Sequence, residues 1–323
     1  MNTDFTPTPE LLQREIQAVH SIKFKPDLQK WVDEYSQVGF RNAYIWNWCR
    51  RGVEVIGLSC VPEEKRDEMS DAKFLGAMLD VLLDDVADKG GDPAFLDYLL
   101  NIPFGNSLNS ELTFSEEEMA YARFTGELWD EIAARASVLP RYHEFEDILR
   151  FDYYQMFNTM RYSHLVNAQP ELLNLTEHDL YLPHNMYMMI FATLDIMCSP
   201  TFDRRELGTL REAVLKAQYM GRIGNLVTTW QREIPEQDYS SGVFARAVSE
   251  GQVTVDQLLN EPPQVIEKVI REGNNEEYFL EKWQEYRRDL LAMQPRLKTV
   301  DLAHLVAGLE KLLCLHLGSR GNK

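Results

Sequence analysis

Three oxygen-bearing side chains, Asn225, Thr229 and Glu233, recur every four residues near the end of a proline-free stretch that begins at Asp203 and closes at Pro235. On an α-helix such positions stack on one face about two turns long. An amide, a hydroxyl and a carboxylate are hard donors, the kind Mg²⁺ accepts in an octahedral shell completed by water and phosphate oxygens. The same residue types also share solvated helix faces, so this spacing alone does not separate a ligand set from a polar surface. A second set of oxygens changes the balance. Asp80, Asp84, Asp85 and Asp88 crowd the end of the apolar run 74–83, with Asp84 and Asp88 on one face and Asp80 one turn before them. Like charges at that spacing cost a helix about 0.2–0.5 kcal/mol per pair, and the negative end of the helix dipole adds to the cost. Something positive should offset it.

The elements that must carry these residues are legible as periodicity. The stretch 203–233, rich in Leu, Ala, Arg and Glu, predicts one long helix stopped by Pro235. The aspartates end a helix expected to be capped by Ser70 and stopped by Gly90-Gly91-Asp92-Pro93. Ahead of it, 61–66 reads as a separate helix start with an acidic first turn. Further helices are expected over 93–100, 116–137 and 141–166, with a loop over 102–107. Thr176-Glu177-His178-Asp179 resembles a capping box before the apolar run 186–197. A polar loop over 235–242 precedes helices at 253–260, 263–272, 275–293 and 300–317. Trp31, Tyr35, Phe40, Tyr44 and Trp48 recur at helical steps and read as core, with some of them open to a pocket role. No β-alternation of useful length occurs. The expectation is an all-α chain, with residues 1–27, broken by Pro7, Pro9 and Pro26, as a partly ordered lead-in and 28–323 as a single domain without internal repeats.

The DDxxD helix end at Asp84-Asp85-Val86-Ala87-Asp88, followed by an N-x-x-x-[S/T]-x-x-x-E pattern from Asn225 to Glu233, resembles the paired metal-binding motifs of bacterial class I terpene synthases. The order and separation of the motifs extend the resemblance over nearly the whole chain. It implies an α-helical barrel around an apolar cavity, with the motifs facing each other across its mouth. It further implies three Mg²⁺ ions, replaceable by Mn²⁺, that grip a prenyl diphosphate. On that footing Asp84, Asp88, Asn225, Thr229 and Glu233 are the expected metal ligands and catalytic residues, and Asp85 supports them by holding a neighbouring basic group. Arg232 matches the basic residue usual before the motif glutamate, and Arg320 falls roughly where a C-terminal Arg-Tyr pair is common; both are expected diphosphate partners. The implied reaction is that of a lyase: diphosphate leaves an allylic carbon and the carbocation cyclises to a hydrocarbon or alcohol. The 235–242 loop is expected to order over the site when metal and diphosphate bind.

Three departures from the family pattern stand out. No Arg precedes 186–197, where a diphosphate sensor is usual, and His178 and His184 are the candidates to replace it. Leu226 stands where Asp is usual, and Arg320 is followed by Gly321. A C20 substrate, geranylgeranyl diphosphate or a bicyclic product of a class II cyclase, is favoured because Gly76, Ala77, Ala192 and the methionines 186, 188, 189 and 197 are expected to leave depth. Farnesyl diphosphate is the C15 alternative. A chain elongase would need a second aspartate-rich motif near 225, and the remaining class is a non-catalytic all-α binding protein with solvated carboxylates. The partners implied are the prenyl diphosphate, an upstream prenyl diphosphate synthase or class II cyclase, and a second copy in a homodimer.

Composition is compatible with this. A formal charge of −18 argues against a nucleic-acid or anionic-membrane surface, since both require basic patches. Of 323 residues, 45% are hydrophobic, ample for a core. Cys49, Cys60, Cys198 and Cys314 form no CxxC pair and read as free thiols of a reducing compartment. The N-terminus lacks signal-peptide character and no apolar run is long enough to span a membrane, so a cytoplasmic location is expected.

Overall fold

Residues 4–88, 92–105 and 113–322 are described in a computed structural model of the chain; among them every regular element is helical. The Gly90-Gly91 stop and the end of the expected 102–107 loop lie outside the described residues. In chain order the helices are α1 (Pro9–Ser21), α2 (Pro26–Tyr35), α3 (Ala43–Val55), α4 (Arg66–Asp88), α5 (Pro93–Asn101), α6 (Glu116–Ser137), α7 (Tyr142–Ala168) and α8 (Leu175–Tyr181). They continue as α9 (Met188–Cys198), α10 (Leu207–Glu236), α11 (Gly242–Ser249), α12 (Val255–Asn260), α13 (Pro263–Glu272), α14 (Asn275–Met293) and α15 (Leu302–Gly318). No described helix is long and apolar enough to cross a membrane.

At the centre lies α9, on which every residue is buried. Its carboxylate Asp195 accepts from Lys73 Nζ of α4 at 2.6 Å and from the Leu58 N–H at 2.8 Å, a fully buried link to the two preceding segments. Helices α4, α7 and α10 pack directly on α9, and α14 and α15 close the far side of α10.

Several local expectations change. The lead-in contains α1, started by the Thr8 hydroxyl accepting from Leu11 N–H, with Pro9 in its first turn. Glu15 of that helix is buried and held by Arg51 of α3 at 2.6 and 2.9 Å, and α1 packs along α15. The two starts expected at 61–66 and at Ser70 merge: a 3₁₀ turn over Glu63–Lys65 leads straight into α4, and Ser70 is buried within that helix. Asn174, rather than Thr176, caps α8, accepting from Glu177 N–H at 2.8 Å. α10 continues past Pro235 to Glu236 and ends on Gln237 in the left-handed region (φ 58°). A proline in the last turn removes one backbone donor, and here the helix stops before a second is needed. The run 186–197 is interrupted at Tyr187, whose φ of 61° separates a 3₁₀ segment, Leu182–Met186, from α9.

Candidate active site

The last turns of α4 and of α10 border one cavity of about 170 Å³. Asp80 and Asp84 enter it from α4, and Asn225, Thr229, Arg222 and Arg232 from α10. Arg41 reaches it from the segment before α3. The remaining wall is largely apolar, with Trp48 and Val53 of α3, Ala77 and Val81 of α4, Met186 to Met188, Phe191 of α9, and Leu312 of α15. Two oxygen ladders that the i, i+4 rule places on separate helices thus meet across a single apolar space.

Asp88 and Glu233 lie beside this cavity rather than on its lining, Asp88 half-buried and Glu233 buried. Asp88 Oδ1 accepts from Ser163 Oγ at 2.6 Å. Glu233 is 5% exposed and leaves Oε2 without a hydrogen-bond partner among the described residues. Asp80 Oδ1 is likewise unpartnered. Thr229 Oγ1 donates to the Asn225 carbonyl at 3.0 Å, and Leu226 points into the core. Asp85 turns the other way, to an ion pair with Arg41.

Burial raises the carboxyls of Asp80, Asp84, Asp88 and Glu233. Asp84 is pushed up to about 6, by burial opposed by Arg41, with Asp238 and Asp85 adding repulsion. Glu233 is pushed up to about 7, by burial and then by the charge of Asp238. Asp80 and Asp88 are raised well above the usual carboxylate range, by burial and then by acidic neighbours. Buried carboxyls crowded in this way are stabilised as anions only by nearby positive charge.

A divalent cation fits this donor set: hard oxygens from two helices at one cavity, two of them unpartnered (Asp80 Oδ1 on its lining and Glu233 Oε2 beside it), with carboxyls whose ionisation a cation would favour. Among the described residues no three acidic, His or Cys side chains converge on one point. The donors flank a shared space instead.

The basic groups differ from those read in the sequence. Arg320 is absent from the cavity lining; its guanidinium donates to the Val227 carbonyl at 2.7 Å and pairs with Glu276 at 2.9 Å. His178 lies buried against Asp179 Oδ1 (3.0 Å), held below its usual value by burial, and His184 meets Gln218. Neither histidine lines the cavity. Arg222 does. It is 6% exposed, its Nη1 donates to Asn225 Oδ1 at 3.3 Å and its Nη2 to the Ser240 carbonyl at 3.2 Å, while Nε is unpartnered. Its position, i−3 from Asn225, puts it on the ladder's face; that spacing was the available signal. Arg41 left no such trace, because its partner Asp85 is distant in the chain.

Depth is also organised differently. A Cβ on Gly76 would stand 2.8 Å from Cε1 of Tyr187, and one on Gly221 would meet Met188 and Met186. The room at these glycines is filled by the neighbouring side chains. Tyr187 is wedged there with Tyr153 and Phe191 around its ring, packing that offsets about 1–2 kcal/mol of left-handed backbone cost.

This all-α fold matches the terpene synthase α-fold of a solved structure. Among the solved structures that it matches is isoprene synthase from grey poplar leaves (Populus x canescens), with a TM-score of 0.60 and 11% identity, over 97% of this chain and 54% of that one. The chain therefore spans about half the length of that protein, and the likeness is one of fold. No protein-family model and no curated protein sequence matches the chain.

Proposed function

We propose that the chain is a class I terpene synthase: a Mg²⁺-dependent lyase that ionises a prenyl diphosphate and lets the resulting carbocation cyclise. One observation carries this reading. Asp80 and Asp84 on α4 and Asn225 and Thr229 on α10 border the same apolar cavity, with three arginines at its rim or wall. A non-catalytic protein with solvated carboxylates would have no reason to bury both ladders against one another.

Asp84, Asp88, Asn225, Thr229 and Glu233 would hold Mg²⁺, which when bound supplies the positive charge that stabilises a departing diphosphate. Arg222, Arg41 and Arg232 add guanidinium donors suited to phosphate oxygens, and Arg222 is the candidate for the sensor role that the sequence leaves unassigned. Trp48, Phe191 and Tyr187 present π faces to a cation that has lost its counter-ion. The apolar wall excludes water until the chain has folded onto itself.

A C20 substrate, acyclic or bicyclic, remains the favoured reading, with C15 as its alternative. A cavity of about 150 Å³ accepts a benzene ring, so the present space requires Met186 and Met188, both flexible, to yield for a C20 chain. A prenyl diphosphate synthase or class II cyclase would supply it in the cytoplasm. The test is incubation with geranyl, farnesyl, geranylgeranyl and bicyclic C20 diphosphates, with Mg²⁺ or EDTA, and mass-spectrometric product analysis. A Mg²⁺-dependent terpene from one of them is expected; unchanged or elongated substrate throughout would overturn the proposal.

A further inference from the structure

Asp238 belongs to neither sequence motif, yet the fold places it between them. It sits in the turn that links α10 to α11, and its N–H donates to the Glu233 carbonyl at 3.1 Å, folding the chain back over the end of the ladder. Its Oδ1 accepts from Ser240 N–H at 3.0 Å and from Asn167 Nδ2 at 3.2 Å. The same Nδ2 donates to the Asp88 main-chain carbonyl at 3.3 Å, and Asn167 Oδ1 accepts from Tyr239 N–H at 2.7 Å. One amide side chain of α7 therefore ties the end of the aspartate helix to the Asp238 turn.

Asp238 is 8% exposed. Among the described residues it forms no ion pair, and no hydrogen bond reaches its Oδ2. A carboxylate held through one oxygen by two neutral donors leaves its other oxygen available to a cation. A turn that merely needed an Asx cap would be served equally well by asparagine. The unpartnered Oε2 of Glu233, on a side chain more than nine-tenths buried, is a second acceptor oxygen at this end of the site that no donor of the described residues satisfies.

We propose that Asp238 is a further cation-binding group of this site, offering Oδ2 to a divalent ion on the Glu233 side, while Asn167 sets its position relative to Asp88. The inference rests on the metal-dependent reading above. It extends the donor set beyond the two helices to the turn that follows the second.

The test uses the full chain titrated with Mg²⁺ in the presence of inorganic pyrophosphate, read by calorimetry and by the Mg²⁺-induced rise in melting temperature. Asp238→Asn keeps the acceptor for Ser240 N–H and removes the charge. It is expected to weaken Mg²⁺ binding about tenfold, with the metal-free melting temperature retained or raised, and Asp238→Glu should recover part of the loss. If Asp238→Asn binds Mg²⁺ like the wild type while Glu233→Gln does not, Asp238 is only a turn cap and the inference is overturned. If Asp84→Asn and Glu233→Gln also bind like the wild type, the metal-dependent reading itself falls, and this inference with it.

Discussion

The guanidinium of Arg41 meets Oδ1 of Asp85 through both Nε (2.7 Å) and Nη2 (2.5 Å), and in doing so draws the middle aspartate of the DDxxD sequence away from its neighbours. Asp85 is almost fully buried, so removing the Arg41 guanidinium takes away positive charge that offsets its desolvation. Arg41→Ala is therefore expected to destabilise the fold by about 3 kcal/mol, in the range for breaking a buried pair from one side. Asp85→Asn, which keeps the acceptor and the Tyr35 contact, should cost less. Urea unfolding of both variants measures the difference, and equal costs would show that the ion pair does not set it.

Asp84→Asn and Glu233→Gln are expected to lower Mg²⁺-dependent diphosphate release by at least about a hundredfold, the scale of losing one electrostatic stabiliser. Each replaces an acid, half-buried at Asp84 and buried at Glu233, with a neutral isostere, so metal-free stability at pH 8 should stay level or rise. Circular dichroism melts in EDTA, beside a diphosphate-release assay, separate the two effects. A variant that keeps full activity removes its residue from the site.

The raised carboxyls fix the sign of a pH effect. Burial pushes Glu233 up to about 7 and Asp84 up to about 6, both above the ordinary carboxylate range. Because the native state holds these protons more tightly, their contribution to stability is present at low pH and is lost as pH rises through the folded values. The metal-free protein should thus lose stability between about pH 4 and pH 8, by on the order of 3 kcal/mol per group at most. Mg²⁺ should reverse the loss at the alkaline end, since it binds the ionised forms. A melting temperature in EDTA that climbs over this range would contradict the burial of an acidic cluster.

Two glycines on the helices flanking the cavity should respond oppositely to alanine. At Gly221 the new methyl meets the flexible end of Met188, so the helix-propensity gain of up to about 1 kcal/mol should survive. At Gly76 it meets the Tyr187 ring, which Tyr153 and Phe191 confine. Gly76→Ala is expected to cost about 1–3 kcal/mol through overpacking. It should also alter product distribution, where Gly221→Ala changes it less. Thermal denaturation ranks the pair.

Arg320 and Arg222 separate two views of diphosphate binding. Arg320 is already engaged by Glu276 and the Val227 carbonyl, so Arg320→Ala should leave pyrophosphate binding in Mg²⁺ within about twofold of wild type. Arg222→Ala should weaken it by about tenfold or more, the worth of a charge-assisted hydrogen bond in a dry site. Calorimetric titration with inorganic pyrophosphate decides; the reverse order would return the role to the C-terminal arginine.

The all-helical class and both oxygen ladders were legible in the sequence because they are local. Periodicity and i, i+4 spacing depend on residues within a few turns of one another, and 116–137, 263–272 and 275–293 emerge as helices with the expected bounds. The central break was not legible. Tyr187 adopts a left-handed backbone because Gly76, in another helix, makes room for its ring, and no spacing rule around residue 187 contains that fact. The same holds for Arg41 beside Asp85, for Asn167 between Asp88 and Asp238, and for Arg320, which proximity in sequence could not assign to Glu276. The sequence by itself determined which helix faces carry oxygen. Which faces meet, which charges stand opposite them and how much space lies between were decided by packing among segments far apart in the chain, where burial and contact energies override local preference.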